Sequence, residues 1–122
     1  MSEQHEAEAL ATRLKYAGLA FTHIPNETGG TPEAFRRAIR MKRAGTSPGF
    51  PDYIILKDGT YYFIELKTKT GKATPTQRAW LETLAKMPNT ICAVCHGCDE
   101  AVELLGLDQK QVNRKDTYIS TY

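Results

Sequence analysis

Asp52, Glu65 and Lys67 are the residues whose types and spacing point most directly to chemistry. Asp58-Gly59 lies between two strand-like stretches, Asp52–Leu56 and Thr60–Lys67, and Asp-Gly in that setting is a strong hairpin-turn signal. If the loop has two residues, Lys57 faces Thr60. The same register sets Asp52 directly opposite Glu65, with β-carbons about 4.5–5.5 Å apart. Like charges placed that way repel unless one is protonated or a cation sits between them. A hard divalent cation, Mg²⁺ or Mn²⁺, is the natural resolution for converging carboxylate oxygens. Strand alternation puts Lys67 on the face of Glu65 and turns Ile64 and Leu66 to the opposite, apolar face. Metal, carboxylates and ammonium together suit phosphodiester hydrolysis, because the metal makes a nucleophilic hydroxide and the Lys positions water and offsets developing negative charge. The plainer alternative is an edge hairpin in which Lys67 is salt-bridged to Glu65 and Asp52 merely starts a strand.

Two further sets of polar residues are predicted to point inward. Thr74-x-x-Gln77 fits a capping box, and Gln77 also leads the apolar stripe Trp80, Leu81, Leu84, Met87, so it faces the sheet. Capping and site-lining are compatible for this residue. The first helix carries the stripe Ala7, Leu10, Leu14 and Ala17, and at about 100° per residue Glu3 falls at the centre of its Ala7/Leu10/Leu14 part. Glu6 falls near the edge of that stripe and Glu8 on the far side. An acid on the buried side needs a partner, which a metal or Lys67 would supply. Favourable placement at a helix N-terminus is the other explanation of Glu3.

These residues need elements to hold them. Ser2 is the expected cap of a helix to about Ala17, stopped by Gly18. Leu19–Ile24 reads as a strand closed by Pro25-Asn26. After Gly29-Gly30 comes a second helix, with Thr31 as cap, Pro32 at its first position and Gly45 as its stop. The hairpin follows, then the helix opened by Thr74-Pro75-Thr76-Gln77, a strand at Thr90–Val94 and a short helix at Asp99–Leu105. The tail from Asp108 is polar until Tyr118-Ile119. This order predicts a single α/β sandwich over residues 1–122, without repeats or an interdomain linker.

Composition narrows the class. A chain of 122 residues with 41% hydrophobic and 25% charged residues is ordinary for one globular domain. A formal charge of +2 excludes coating of DNA by bulk charge. The charge is nevertheless segregated. Arg36, Arg37, Arg40, Lys42 and Arg43 face the single acid Glu33 in residues 31–50, and Lys67, Lys69, Lys72 and Arg78 face Glu65 in residues 64–78. Two solvated faces or a divided phosphate-binding surface would both account for this. No apolar run approaches the roughly 20 residues of a membrane helix. The acidic start, with Glu3, Glu6 and Glu8, is unlike a signal peptide, so a cytoplasmic protein with reduced thiols is expected. Cys92-Ala93-Val94-Cys95-His96 matches the haem-attachment spacing, and Cys98 adds the outline of a zinc cluster. Because these thiols begin inside an apolar strand, packing is expected instead, with no haem and no structural zinc.

Taken in order, the residues resemble the PD-(D/E)xK nuclease superfamily, most closely its VRR-NUC (virus-type replication-repair nuclease) branch. The matching pieces are Glu3, Ile24-Pro25-Asn26-Glu27, the basic helix leading to Gly45 and Gly49, Pro51-Asp52, Glu65-Leu66-Lys67, Gly71 and Gln77. They cover about residues 2–105 and leave 106–122 as a C-terminal tail. The resemblance implies a restriction-endonuclease-like core, a central mixed β-sheet flanked by helices, and a metal-dependent DNA endonuclease. On that basis Asp52 and Glu65 hold Mg²⁺ (or Mn²⁺), the Leu66 carbonyl adds a ligand, and Lys67 handles the water. Glu3, or alternatively Glu6, completes the site, and Gln77 orients water or the scissile phosphate. Arg36, Arg37, Arg40, Lys42, Arg43, Lys69 and Lys72 are the expected DNA contacts. The resemblance also implies a homodimer acting on branched DNA, in the manner of a Holliday-junction resolvase, in replication, recombination or repair. The rival reading is a non-catalytic DNA-binding module on the same fold, although pure binding does not need an electrostatically costly carboxylate pair.

Overall fold

The computed structural model describes residues 2–25 and 30–107, together with the backbone of 117–119. Short local signals set most of its elements. Ser2 Oγ accepts from the His5 amide at 3.2 Å and starts helix α1 (Glu3–Tyr16). Thr31, followed by Pro32, caps α2 (Pro32–Arg43) through the Ala34 amide at 3.0 Å. Between them lies strand β1 (Ala20–His23). Asp58 and Gly59, with φ of 51° and 76°, form the turn joining β2 (Tyr53–Lys57) to β3 (Thr60–Lys67). Positive φ at both central positions matches the right-handed strand twist, and Asp and Gly tolerate it. Then follow α3 (Pro75–Ala85), β4 (Thr90–His96), α4 (Cys98–Leu104) and β5 (Thr117–Ile119).

The five strands form one mixed sheet in the order β1-β2-β3-β4-β5. β3 and β4 run parallel, with α3 as their crossover, and the other neighbours are antiparallel. Lys57 pairs with Thr60 and Tyr53 with Ile64, which is the register predicted from the two-residue turn. On one side of the sheet α1 and α4 bury Leu10, Leu14, Ala101 and Val102 against Ile55, Ile64 and Leu66. On the other side α3 buries Leu81 against Phe63, Cys92 and Val94. Among the described residues no helix is long and apolar enough to cross a membrane.

Several sequence expectations change. The first strand is shorter than Leu19–Ile24, and β4 runs two residues past Val94. Ala17 is exposed because it is the C-cap, where the chain turns away through Gly18. Met87 is 56% exposed and lies beyond α3, since Pro88 disfavours helical geometry at the preceding residue. A fifth strand, β5, joins the edge of β4 within the stretch read as a polar tail. The expected Asn26-Glu27 and Gly29 of the first loop, and most of the tail, lie outside the described residues. Cys92, Cys95 and Cys98 are all buried, and burial pushes the Cys92 thiol up to about 12.

α2 differs from the other helices. It carries apolar residues on one side and Arg36, Arg37, Arg40 and Arg43 on the other, yet none of its residues is buried. Phe35 is 65% exposed.

Candidate active site

The site is built at the end of the hairpin remote from its turn, where β2 begins and β3 finishes. Continuing the register by one residue brings Asp52 to Glu65, and Asp52 Oδ2 accepts from the Leu66 amide at 2.9 Å. Both carboxylates are buried, and Glu65 is only 2% exposed. Ile64 and Leu66, on the opposite face of β3, are locked into the core beneath α1 and α4. That packing leaves Glu65 no freedom to swing into water.

The two oxygens of Glu65 have different surroundings. Oε2 accepts from Gln77 Nε2 at 3.3 Å and lies 3.5 Å from the Lys67 ammonium. Oε1 is buried and has no hydrogen-bond partner. A bare carboxylate oxygen in the interior is costly. Burial first, and the Asp52 carboxylate second, push Glu65 up to about 8, with Lys67 pulling the other way. The protein therefore holds an electrostatic conflict that a proton or a cation would relieve.

Gln77 both closes a capping box and lines the cavity. Its Oε1 accepts from the Thr74 amide at 2.9 Å, while its own amide donates to Thr74 Oγ1 at 3.2 Å, closing the capping box of α3. Fixed this way at one end, the side chain presents its Nε2 donor to Glu65 at the other. Gly49 lets the loop before β2 pack closely on the start of α3. Its φ is +90°, and a β-carbon there would come within 2.7 Å of Thr76 Cγ2. The loop is further tied down by Trp80 Nε1, which donates to the Pro48 carbonyl at 3.1 Å.

Asp52, Glu65, Leu66, Lys67 and Gln77 line one open cavity of about 360 Å³, together with Glu3, Gln4 and His23. The first-helix acids separate clearly. Glu3 is exposed on the cavity wall. Glu6 lies elsewhere, because its Oε1 accepts from the Cys98 amide at 2.8 Å at the start of α4. Gly97, the N-cap of α4, has no side chain to do that, and a β-carbon there would meet Glu6 Oε1 at 2.9 Å. Among the described residues no three His, Cys, Asp or Glu side chains gather as a metal-binding group. The converging pair is Asp52 and Glu65 alone, and the expectation that Glu3 closes a three-carboxylate cluster is not met by this geometry. The pair still fits a hard divalent cation, since its acceptors are oxygens and one of them is buried without a partner.

Sequence reasoning missed His23 and Tyr53. His23 pairs with Tyr53 across β1 and β2, their rings 4.9 Å apart, and it faces the cavity. Tyr53 donates its hydroxyl to the Ala7 carbonyl at 3.2 Å, which seats α1 one turn beyond Glu3. Burial and the neighbouring Asp52 push that phenol up to about 12. A pairing of the first strand with the hairpin would have exposed both residues, but the intervening loop is too long to set a register. The predicted DNA contacts Arg36, Arg37, Arg40, Lys42 and Arg43 are exposed along α2, and Lys69 and Lys72 are exposed on the loop between Lys67 and α3.

The VRR-NUC domain model matches residues 2–99 of the chain. A solved structure described as a VRR_NUC domain protein is 23% identical, covering 84% of this chain and 85% of its own, with a TM-score of 0.60. No curated protein matches. The likeness of fold agrees with the mixed sheet flanked by helices, which is the restriction-endonuclease-like core. With the carboxylate pair, lysine and glutamine assembled at one sheet end and the domain model spanning most of the chain, the protein belongs to the VRR-NUC nuclease family.

Proposed function

We propose that this protein is a Mg²⁺- or Mn²⁺-dependent DNA endonuclease that hydrolyses phosphodiester bonds in branched DNA and acts as a homodimer in replication, recombination or repair. The observation that carries the reading is the buried Glu65 oxygen without a partner, beside Asp52, with Lys67 and Gln77 on the other oxygen. Asp52 and Glu65, with the Leu66 carbonyl, would hold the ion. When bound, a divalent cation supplies Lewis-acid charge and a nucleophilic water. Glu65 and Asp52 keep their acceptors converged because the hairpin ladder and the apolar back face prevent retreat. The Lys67 ammonium holds a water and offsets negative charge developing on the phosphate. Gln77 keeps Glu65 oriented and lies within the cavity where a scissile phosphate would rest. Glu3, on the outer wall, acts through solvent on whatever occupies the cavity. Arg36, Arg37, Arg40, Lys42, Arg43, Lys69 and Lys72 supply contacts to the sugar–phosphate backbone.

The test is cleavage of four-way junctions, flaps, splayed arms, duplex and single strands by purified variants. Folded Asp52→Ala, Glu65→Ala and Lys67→Ala proteins are each expected to lose cleavage by at least about 100-fold, in the range found when one stabilising group is removed from an active site. Full cutting by the Asp52 and Lys67 variants would sink the assignment. Glu3→Ala is expected to slow cleavage. Glu6→Ala is expected to keep cleavage but lower stability by about 1 kcal/mol through loss of the bond at the start of α4. Binding without turnover in every metal would favour the non-catalytic module.

A further inference from the structure

A second cavity, of about 460 Å³, lies between α2 and the loop that precedes β2. Its lining includes Ala34, Ala38, Met41 and Lys42 on α2 and Pro48 on the loop. Gln77 lines this cavity and the carboxylate cavity alike, so the two meet at that side chain. The loop wall is held in place. Gly49 is packed so closely on the start of α3 that no side chain fits, and Trp80 fastens the Pro48 carbonyl. The α2 wall is the inner part of that helix's apolar side, and its arginines lie on the opposite side of the helix.

We propose that this groove receives one unstacked nucleobase of the DNA strand being cut, from the nucleotide next to the scissile phosphate; the inference rests on the nuclease reading above. Three observations converge on that occupant. The volume lies within the range of small-ligand sites and suits a single nucleoside. Aliphatic and proline linings match the faces of a base, while the polar lining residues Gln77, Lys42 and Thr46 match its polar edge and its phosphate. Gln77 lines both cavities, so a phosphate held over Asp52 and Glu65 would have this groove as its neighbour. A paired base cannot enter such a groove without leaving its stack, and an unpaired one enters at far smaller cost. The groove therefore makes the enzyme select phosphodiesters beside unpaired nucleotides, at branch points and single-stranded arms rather than within duplex.

The experiment places 2-aminopurine at the unpaired nucleotide beside a branch point and titrates the protein in EDTA, so that emission is read without cleavage. Wild-type protein is expected to raise the emission as the base leaves its neighbours. Ala38→Trp and Thr46→Trp, which fill the groove from opposite walls at exposed positions, are each expected to abolish the rise. They are also expected to weaken binding of the branched DNA at least ten-fold more than binding of matched duplex. Emission that rises unchanged in both folded variants, or an unaltered ratio of branched to duplex binding, overturns the proposal. So does a change in sedimentation on Ala38→Trp with emission preserved, which assigns the groove to a second copy of the chain. In any of these cases cleavage by the wild type that Asp52→Ala abolishes keeps the nuclease reading; cleavage indifferent to Asp52→Ala removes both.

Discussion

Among the described residues Glu65 carries the sharpest physical conflict: an acid almost wholly removed from water, beside a second acid, with one oxygen lacking any donor. Its carboxyl is pushed from 4.5 to about 8. Between those values the folded protein holds a proton that the unfolded chain has released. The stabilising contribution is therefore complete below about pH 4.5 and is lost as pH rises through about 8. Thermal melts in EDTA are expected to show Tm falling across that interval, and Glu65→Gln, which cannot titrate, should flatten the slope. A divalent cation competes for the same oxygens, so its apparent affinity should rise with pH over the same window and proton release should accompany binding. Calorimetry in two buffers of different ionisation enthalpy reads that release; its absence would separate Glu65 from the metal.

At the scale of the element, the capping box of α3 holds a side chain that also reaches Glu65. The capping box fixes Gln77, and the fixed Gln77 orients Glu65. These roles are separable by substitution. Thr74→Ala is expected to cost about 1 kcal/mol of stability and to reduce cleavage only mildly. Gln77→Glu keeps the box, which accepts Glu as readily as Gln, but adds a carboxylate beside Glu65. It should melt near the wild-type temperature and lose most of its cleavage at neutral pH. Equal damage to stability and cleavage in both variants would show that Gln77 acts only as a cap. The hairpin is the other element with a double role, since its two-residue turn sets the register that converges the carboxylates at the far end.

Across the whole molecule, charge is segregated along the chain. The total of +2 mixes site acids with the basic residues of α2 and of the loop after β3. A cation on Asp52 and Glu65 neutralises the acids and leaves the positive surface dominant. Charge reversal at Arg36, Arg40 and Arg43 is expected to weaken DNA binding and to flatten its salt dependence, by about 0.9 in log–log slope for each phosphate no longer neutralised. The rate of cutting once DNA is bound should change little. Fluorescence anisotropy over a salt series, paired with single-turnover cleavage, distinguishes the two. Paired symmetric cuts in a four-way junction need two active sites, so sedimentation showing only monomer at working concentrations would remove the junction-resolving reading while leaving the hydrolysis intact.

The amino-acid order by itself determined the features set by neighbours a few residues apart. Asp58-Gly59 dictates a tight turn, the turn dictates the register, and the register brings Asp52 to Glu65; Ser2, Thr31 and Thr74 mark the helix starts in the same local way. Only the tertiary structure decided matters that depend on distant partners. Glu3 and Glu6 lie within one turn of the same helix, and helical spacing ranks Glu3 ahead of Glu6 but does not say what either side chain meets. The Cys98 amide, far along the chain, captures Glu6 and leaves Glu3 to the cavity. His23 and Tyr53 were equally hidden, because β1 meets β2 across a long connection whose length imposes no register. β5 was hidden for the related reason that a three-residue edge strand draws its hydrogen bonds from β4 rather than from any pattern of its own. Turns and caps involve so few residues that their closure entropy is small and their residue preferences sharp. Long-range pairings are selected by the packing of the whole chain, and a linear pattern carries little of that information.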